Sequence, residues 1–254
     1  FFDSPAIEAV SIAFMLIAGC NFATHYVVLS RRSFRPYRTD PEAGAFLLVS
    51  VGSVLAIAIF LDVHGVYPTF SEALRFSAFN VVSIATTTGY ANTDYALWPM
   101  FAPLWMLFLS SFATSAGSTG GGIKMIRAIV LYKQVYRELT RAMHPNAVHP
   151  VKIGSELLSS NILFAVLAFG FMYMVCIVSM TLALSFSGLE IVTAFTAVVA
   201  SINNTGPGLG QVGPATNFGS LSDFQTWVCT FAMLLGRLEI FTLLVVLTPA
   251  FWRK

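Results

Sequence analysis

Thr86-Thr87-Thr88-Gly89-Tyr90 and Asn203-Asn204-Thr205-Gly206-Pro207 are two short polar loops, each set in apolar sequence. Each follows a helix-sized segment that opens on a capping-box pattern, Thr69 with Glu72 and Ser187 with Glu190. From Glu72 to Gly89 and from Glu190 to Gly206 the chain covers 17 and 16 positions. A long hydrophobic segment follows each loop, and its aromatic residues recur in one register. Phe112, Phe108 and Trp105 stand before Gly117 as Phe231, Trp227 and Phe224 stand before Gly236. The pattern predicts an internal repeat of helix, half-helix, loop and helix, the layout of a pore loop.

Composition sets the solvent. Hydrophobic residues make up 56% of the 254, and charged residues 10%. Charge in a soluble domain sits near a quarter, so a membrane protein is expected. Segments 6–29, 44–61, 101–130, 162–186 and 224–251 are apolar over lengths near the roughly 20 residues a crossing needs. Cys20, Cys176 and Cys229 all lie within them, which favours buried small side chains over a disulfide framework. His25, His64, His144 and His149 lack ligand spacing and read as loop or helix-end residues.

Twelve of the 14 basic residues fall in three clusters: Arg31, Arg32, Arg35 and Arg38; Lys124, Arg127, Lys133, Arg137, Arg141 and Lys152; Arg253 and Lys254. If each apolar segment crosses once, the clusters share a side, which the positive-inside rule makes cytoplasmic. Arg75 and Arg237 break the pattern. Juxtamembrane charge accounts for the clusters without a nucleic-acid partner. The chain begins at Phe1 rather than Met, and Phe14 precedes Gly19 as Phe112 precedes Gly117. Residues 1–43 therefore read as the closing helix of an earlier repeat and a loop. Residues 44–152 and 153–254 read as two complete repeats of a longer protein.

A cation entering a membrane needs fixed oxygens in place of its hydration shell, and backbone carbonyls supply them. Gly89 and Gly206 permit positive φ, and each half-helix aims the negative end of its dipole at its loop. Neither loop carries a carboxylate, which argues for a dehydrated monovalent cation. Carbonyls of Thr87, Thr88, Asn204 and Thr205 are the expected ligands, with Thr86, Gly89, Asn203 and Gly206 beside them. Two plain re-entrant turns are the simpler reading of either loop alone; the duplication favours a filter.

Ala116-Gly117-Ser118-Thr119-Gly120-Gly121-Gly122 interrupts the third apolar segment. Consecutive glycines disfavour helix by about 1 kcal/mol each. Non-helical backbone at membrane depth belongs against protein or a water-filled cavity. Gly117, Ser118, Thr119, Gly120, Gly121 and Gly122 are therefore expected to form an unwound loop and a gate, a packing kink being the simpler alternative. A phosphate-binding loop is excluded, because Ile123 rather than Lys follows Gly122 and no strand precedes it. Arg237, inside an apolar segment, should face the interior. There it can donate to carbonyls of that loop or serve a structural ion pair. Glu239, two residues on, cannot share its helix face.

Together the stretches 86–90, 116–124, 203–208 and 236–242 resemble the membrane subunit of the Trk potassium-uptake system, in the superfamily with KtrB and plant HKT transporters. The resemblance runs in order over the whole chain. It implies an all-α membrane protein whose repeated units surround a pseudo-four-fold pore in the bacterial inner membrane, taking up potassium. Glycine at the loop positions resembles potassium-selective members. The resemblance also implies a gate at 116–122 with Arg237 nearby, a homodimer, and a cytosolic nucleotide-binding ring like TrkA. Potassium is the implied ligand, with no organic cofactor, and membrane lipid is the surrounding partner. A cation-coupled secondary transporter with broken helices is the rival, but it would usually show inverted repeats. These repeats are parallel. An enzyme finds no nucleophile–base or metal constellation here.

Overall fold

The computed structural model describes residues 3–145, 150–154, 156–238 and 240–253. In chain order, α1 (Pro5–Gly19) and α2 (Phe22–Arg31) meet at a 98° bend. Asn21 caps the second of them through the N–H of Ala23. A short α3 (Arg35–Thr39) leads into α4 (Pro41–Val63). Asp40 caps α4 by accepting from the N–H of Glu42 at 2.9 Å, and Pro41 fills its first position. The half-helix α5 (Phe70–Ala85) ends at the first polar loop. After it come α6 (Phe101–Ser110), the non-helical stretch 111–124, and α7 (Met125–Met143). A minimal antiparallel hairpin, β1 (Lys152–Ile153) and β2 (Glu156–Leu157), precedes α8 (Ser160–Phe186). The second half-helix, α9 (Ile191–Ile202), ends at the second loop. The chain closes with α10 (Asp223–Arg237), α11 (Ile240–Leu247) and α12 (Pro249–Trp252).

Apart from that hairpin the architecture is helical and repeated, as the sequence indicates, but two local expectations are corrected. Among the described residues, α4 and α8 are the unbroken helices long and apolar enough to cross a membrane. The segments 6–29 and 224–251 are instead bent pairs, α1 with α2 and α10 with α11. Fifteen residues of α1 reach about 22 Å, short of a bilayer core of about 30 Å. Hydropathy measures the apolar run and is blind to the bend inside it. The second correction concerns helix caps. Thr69 does cap α5, accepting from the N–H of Glu72 at 3.3 Å. Ser187, however, terminates α8 and donates to Leu184 O, while Glu190 is the N-cap of α9 without a side-chain cap bond. The reciprocal capping box sits at Ser222 and Gln225, opening α10.

Each half-helix packs between its neighbours, α5 against α4 and α6, α9 against α8 and α10, and α6 against α9 joins the two units. Ile57, Leu61, Ile84, Met106, Leu109, Ile202 and Leu235 are completely or almost completely buried at these contacts. Outward faces stay apolar, as at Leu48, Val51, Leu55 and Ile59 of α4 and Phe164, Phe171, Leu182 and Phe186 of α8. Exposed apolar surface of that extent suits lipid. Arg75, against the charge pattern, is held by buried Glu8 of α1 in a bidentate pair at 2.7 and 2.9 Å. Cys20, Cys176 and Cys229 are buried free thiols. His25 bonds Ile17 O and Tyr37, His64 bonds Phe60 O at the end of α4, and His144 caps α7. His149, Glu239 and Lys254 lie outside the described residues.

Candidate functional site

Both half-helices end in the same backbone device. At the end of α5, the N–H of Thr87 bonds Ile84 O at 3.0 Å and the N–H of Thr88 bonds Ser83 O at 2.8 Å. At the end of α9, the N–H of Asn204 bonds Ser201 O at 3.0 Å and the N–H of Thr205 bonds Ala200 O at 2.9 Å. Each pair is a Schellman motif, with its left-handed residue at Thr87 (φ 55°) and Asn204 (φ 53°). Two residues on, Gly89 and Gly206 are again at positive φ, 79° and 108°. Asparagine tolerates the left-handed region; a β-branched threonine there is strained and needs a context that holds it. Part of that context is a bond from the N–H of Gly121 to Thr87 Oγ1 at 3.1 Å.

The fold brings the two loops together. A Cβ on Gly89 would stand 2.0 Å from Thr205 O, so only glycine fits. Gly89, Tyr90, Gly206 and Pro207 line one cavity of about 470 Å³. Among the described residues, the carbonyls of Thr86, Thr87, Thr88, Gly89, Asn203, Asn204, Thr205 and Gly206 accept no hydrogen bond. Backbone carbonyls ordinarily find donors, and two runs of four without one leave a concentration of oxygens able to ligate a cation.

Side chains diverge where backbones agree. Thr86 Oγ1 donates within its own helix to Val82 O at 2.8 Å and lies 2.9 Å from Thr88 Oγ1. Asn203 turns into the protein, donating to Ser110 Oγ at 2.9 Å and Ser111 Oγ at 3.2 Å and accepting from Tyr173 OH at 2.7 Å. That amide is therefore a brace between α9, α6 and α8. Asn204 Nδ2 donates to Met233 O of α10.

The Gly-rich stretch is unwound and lies against both loops. Besides the Gly121–Thr87 bond, a Cβ on Gly121 would fall 2.0 Å from Asn203 O. The stretch is tied to the α1–α2 bend: the N–H of Ser115 bonds Gly19 O, the N–H of Thr119 bonds Ala18 O, and the N–H of Phe22 bonds Gly117 O. Arg237 Nη1 donates to Thr119 O at 3.2 Å, and Lys124 Nζ donates to the adjacent Gly120 O. A cavity of about 360 Å³ separates this stretch from α8 and α10, lined by Gly120, Lys124, Arg127, Tyr173, Gly236 and Arg237 among others. Arg127 stacks over Phe169 at 4.1 Å. Lys124, Arg127 and Arg237 thus place three basic side chains around this cavity.

Sequence reasoning missed Glu42, Tyr173, Ser110 and Ser111. Glu42 Oε1 accepts from the N–H of Ala116 at 3.0 Å and of Ile126 at 2.9 Å, one carboxylate oxygen closing both ends of the Gly-rich stretch. In sequence it reads as an ordinary acidic residue in the first turn of a helix. Nothing in the adjacent sequence points to its distant partners.

A profile of the family described as TrkH, cation transport protein, matches residues 1–254. The chain is 43% identical over 254 residues to the Trk system potassium uptake protein TrkH of Salmonella typhimurium, covering 100% of this chain and 52% of that relative. It is 34% identical to the Trk system potassium uptake protein TrkG of Escherichia coli, with the same coverage of 100% and 52%. Among solved structures, the potassium transporter TrkH from Vibrio parahaemolyticus superposes with a TM-score of 0.94 at 42% identity, over 100% of this chain and 54% of that one. The chain spans about half the length of the curated relatives it matches.

Proposed function

The chain belongs to the TrkH family of cation transport proteins and is a multi-pass protein of the bacterial inner membrane; from that premise we propose that it forms part of a channel-like potassium uptake pathway. The observation that carries the reading is the twin Schellman exit with its eight carbonyls lacking donors. In this reading carbonyls of Thr87, Thr88, Asn204 and Thr205 replace water around a potassium ion. Thr86, Gly89, Asn203 and Gly206 set the loop shape. Two such loops supply half of a four-loop ring, the rest coming from sequence of the kind that makes the relatives about twice as long.

The stretch 117–122 acts as the gate. Arg237 and Lys124 hold it across the path by donating to its carbonyls, and the charge of Arg237 opposes cation entry. Potassium is thus the substrate, and no group on the chain is assigned a catalytic role. The exposed basic residues Arg31, Arg32, Arg35 and Arg38, with Arg137 and Arg141 of α7, offer a surface to a cytosolic nucleotide-binding regulator of the TrkA kind, and the assembled protein works as a homodimer in lipid. Neutralising Arg137 and Arg141 should weaken capture of that regulator at matched salt and leave ion preference unchanged.

The deciding experiment is Arg237→Ala in the intact protein, read as potassium flux per folded molecule in proteoliposomes. Loss of both donor and charge should raise basal flux severalfold. A folded but less active variant would sink the gate reading.

A further inference from the structure

Glu42 is 5% exposed, at the second position of α4, facing away from lipid and water alike. A carboxylate is buried so deeply only where hydrogen bonds compensate it. Here two backbone amides, Ala116 and Ile126, and the nearby Lys124 charge compensate it; the amides lie 74 and 84 residues away in sequence and bracket the Gly-rich stretch. One oxygen receives both bonds, so the two ends of the stretch are drawn to a single point while 117–122 spans between them. The base of the clasp is stiff. Asp40 Oδ1 caps the same helix turn, Asp40 Oδ2 accepts from Thr24 of α2 at 2.7 Å, and Pro36 in the first turn of α3 and Pro41 at the start of α4 restrict the backbone. The corner that carries this base exposes Arg31, Arg32, Arg35 and Arg38.

We propose that Glu42 is a positioning residue that fixes the Gly-rich stretch in its closed place from the α3–α4 corner. The proposal rests on the reading of 117–122 as the gate. Glycines give that stretch freedom to adopt several shapes, so bonds along it define its position only while its ends are held as well. Glu42 holds both ends, and α4 relates them to the basic corner. Displacing the corner, by a regulator or otherwise, therefore moves the two ends of the gate together.

The test uses the full-length protein in lipid nanodiscs and proteoliposomes, with Glu42→Ala and Glu42→Gln. Two readouts are taken: amide hydrogen exchange over 116–126, with α9 as internal reference, and potassium flux per folded molecule. Glu42→Ala should speed exchange at 116–126 at least tenfold, leave α9 unchanged, and raise basal flux severalfold. Glu42→Gln keeps an oxygen able to accept both bonds and should stay within about twofold of the parent in both readouts, following the geometry rather than the charge. Unchanged exchange in Glu42→Ala, or equal acceleration by Gln and Ala, overturns the clasp. Faster exchange with unchanged flux leaves the clasp standing and overturns the gate reading instead. Should Glu42→Ala not fold, Glu42→Asp, one methylene short, carries the test: faster exchange at 116–126 supports the clasp, and parental exchange overturns it.

Discussion

The two repeats are alike down to single hydrogen bonds at the exits of α5 and α9, and then they part. After the first loop, α6 stops at Ser110 and the chain unwinds through 111–124; after the second, α10 runs on to Arg237. The cause is local. Ser110, Ser111, Thr114, Ser115, Gly117 and Gly120–Gly122 are poor helix formers, whereas Ala232, Met233, Leu234 and Leu235 are good ones. The aligned glycines show the consequence: Gly117 is left-handed at φ 68° in the unwound stretch, and Gly236 lies within α10. A Cβ on Gly236 would fall 1.7 Å from Ile202 O, so α10 presses directly on the end of α9. The two units thus share the device at the loop and differ in the helix that follows it.

The sharpest way to break this comparison is to place the same substitution in both loops. Gly89→Ser drives a side chain into Thr205 O and should cost more than tenfold in potassium preference over sodium, read as flux ratios with rubidium as control. Gly206 has nothing within 4 Å of its Cβ position. Gly206→Ser therefore meets only the positive-φ penalty of about 1–2 kcal/mol, and should retain more of the preference. Equal damage would mean that the loops are not packed as neighbours in this way.

Next in size is Gly236→Ala, an overpacking change expected to lower stability by about 1–3 kcal/mol in thermal unfolding. Gly117→Ala should cost less, about 1–2 kcal/mol, because its nearest neighbour is the Asn21 side chain, which can yield. Asn203→Ala removes three side-chain hydrogen bonds that tie α9 to α6 and α8, with a loss of about 1–3 kcal/mol. Thr86→Ala removes bonds within one helix end and should cost about 0.5–1.5 kcal/mol, judged by the same melts. Smallest is Thr87→Asn, which imports the residue of the second loop. Relief of the left-handed threonine offsets loss of the bond from Gly121, so a net change within about 1 kcal/mol is expected. A larger loss would show that the Thr87–Gly121 link, absent from the second repeat, dominates.

What was legible in the sequence is what neighbouring residues encode. Thr-Gly and Asn-Thr-Gly at matched distances from Glu72 and Glu190 reveal the two loops, because backbone turns depend on adjacent side chains. Clustered glycines at 117–122 reveal the break, because helix propensity sums along the chain. The apolar fraction reveals the membrane. A charge in an apolar helix has few places to go, so Arg237 is legible as an exception; in the structure its Nη1 donates to Thr119 O. Ser187 misled, since a capping pattern is the same four letters at the end of one helix as at the start of the next.

The rest was decided by tertiary structure alone. Whether 6–29 runs straight or bends by 98° depends on what stands against Gly19, Cys20 and Asn21, not on hydropathy. Asn203 braces Ser110 across 93 residues, Arg237 reaches Thr119 across 118, and Glu42 closes both ends of the Gly-rich stretch. The contact of Gly89 with Thr205 O exists only once α6 has packed on α9. Helix, turn and solvent preference are sums over adjacent residues and can be read one stretch at a time. A hydrogen bond between distant residues is fixed only when every helix between them has found its place.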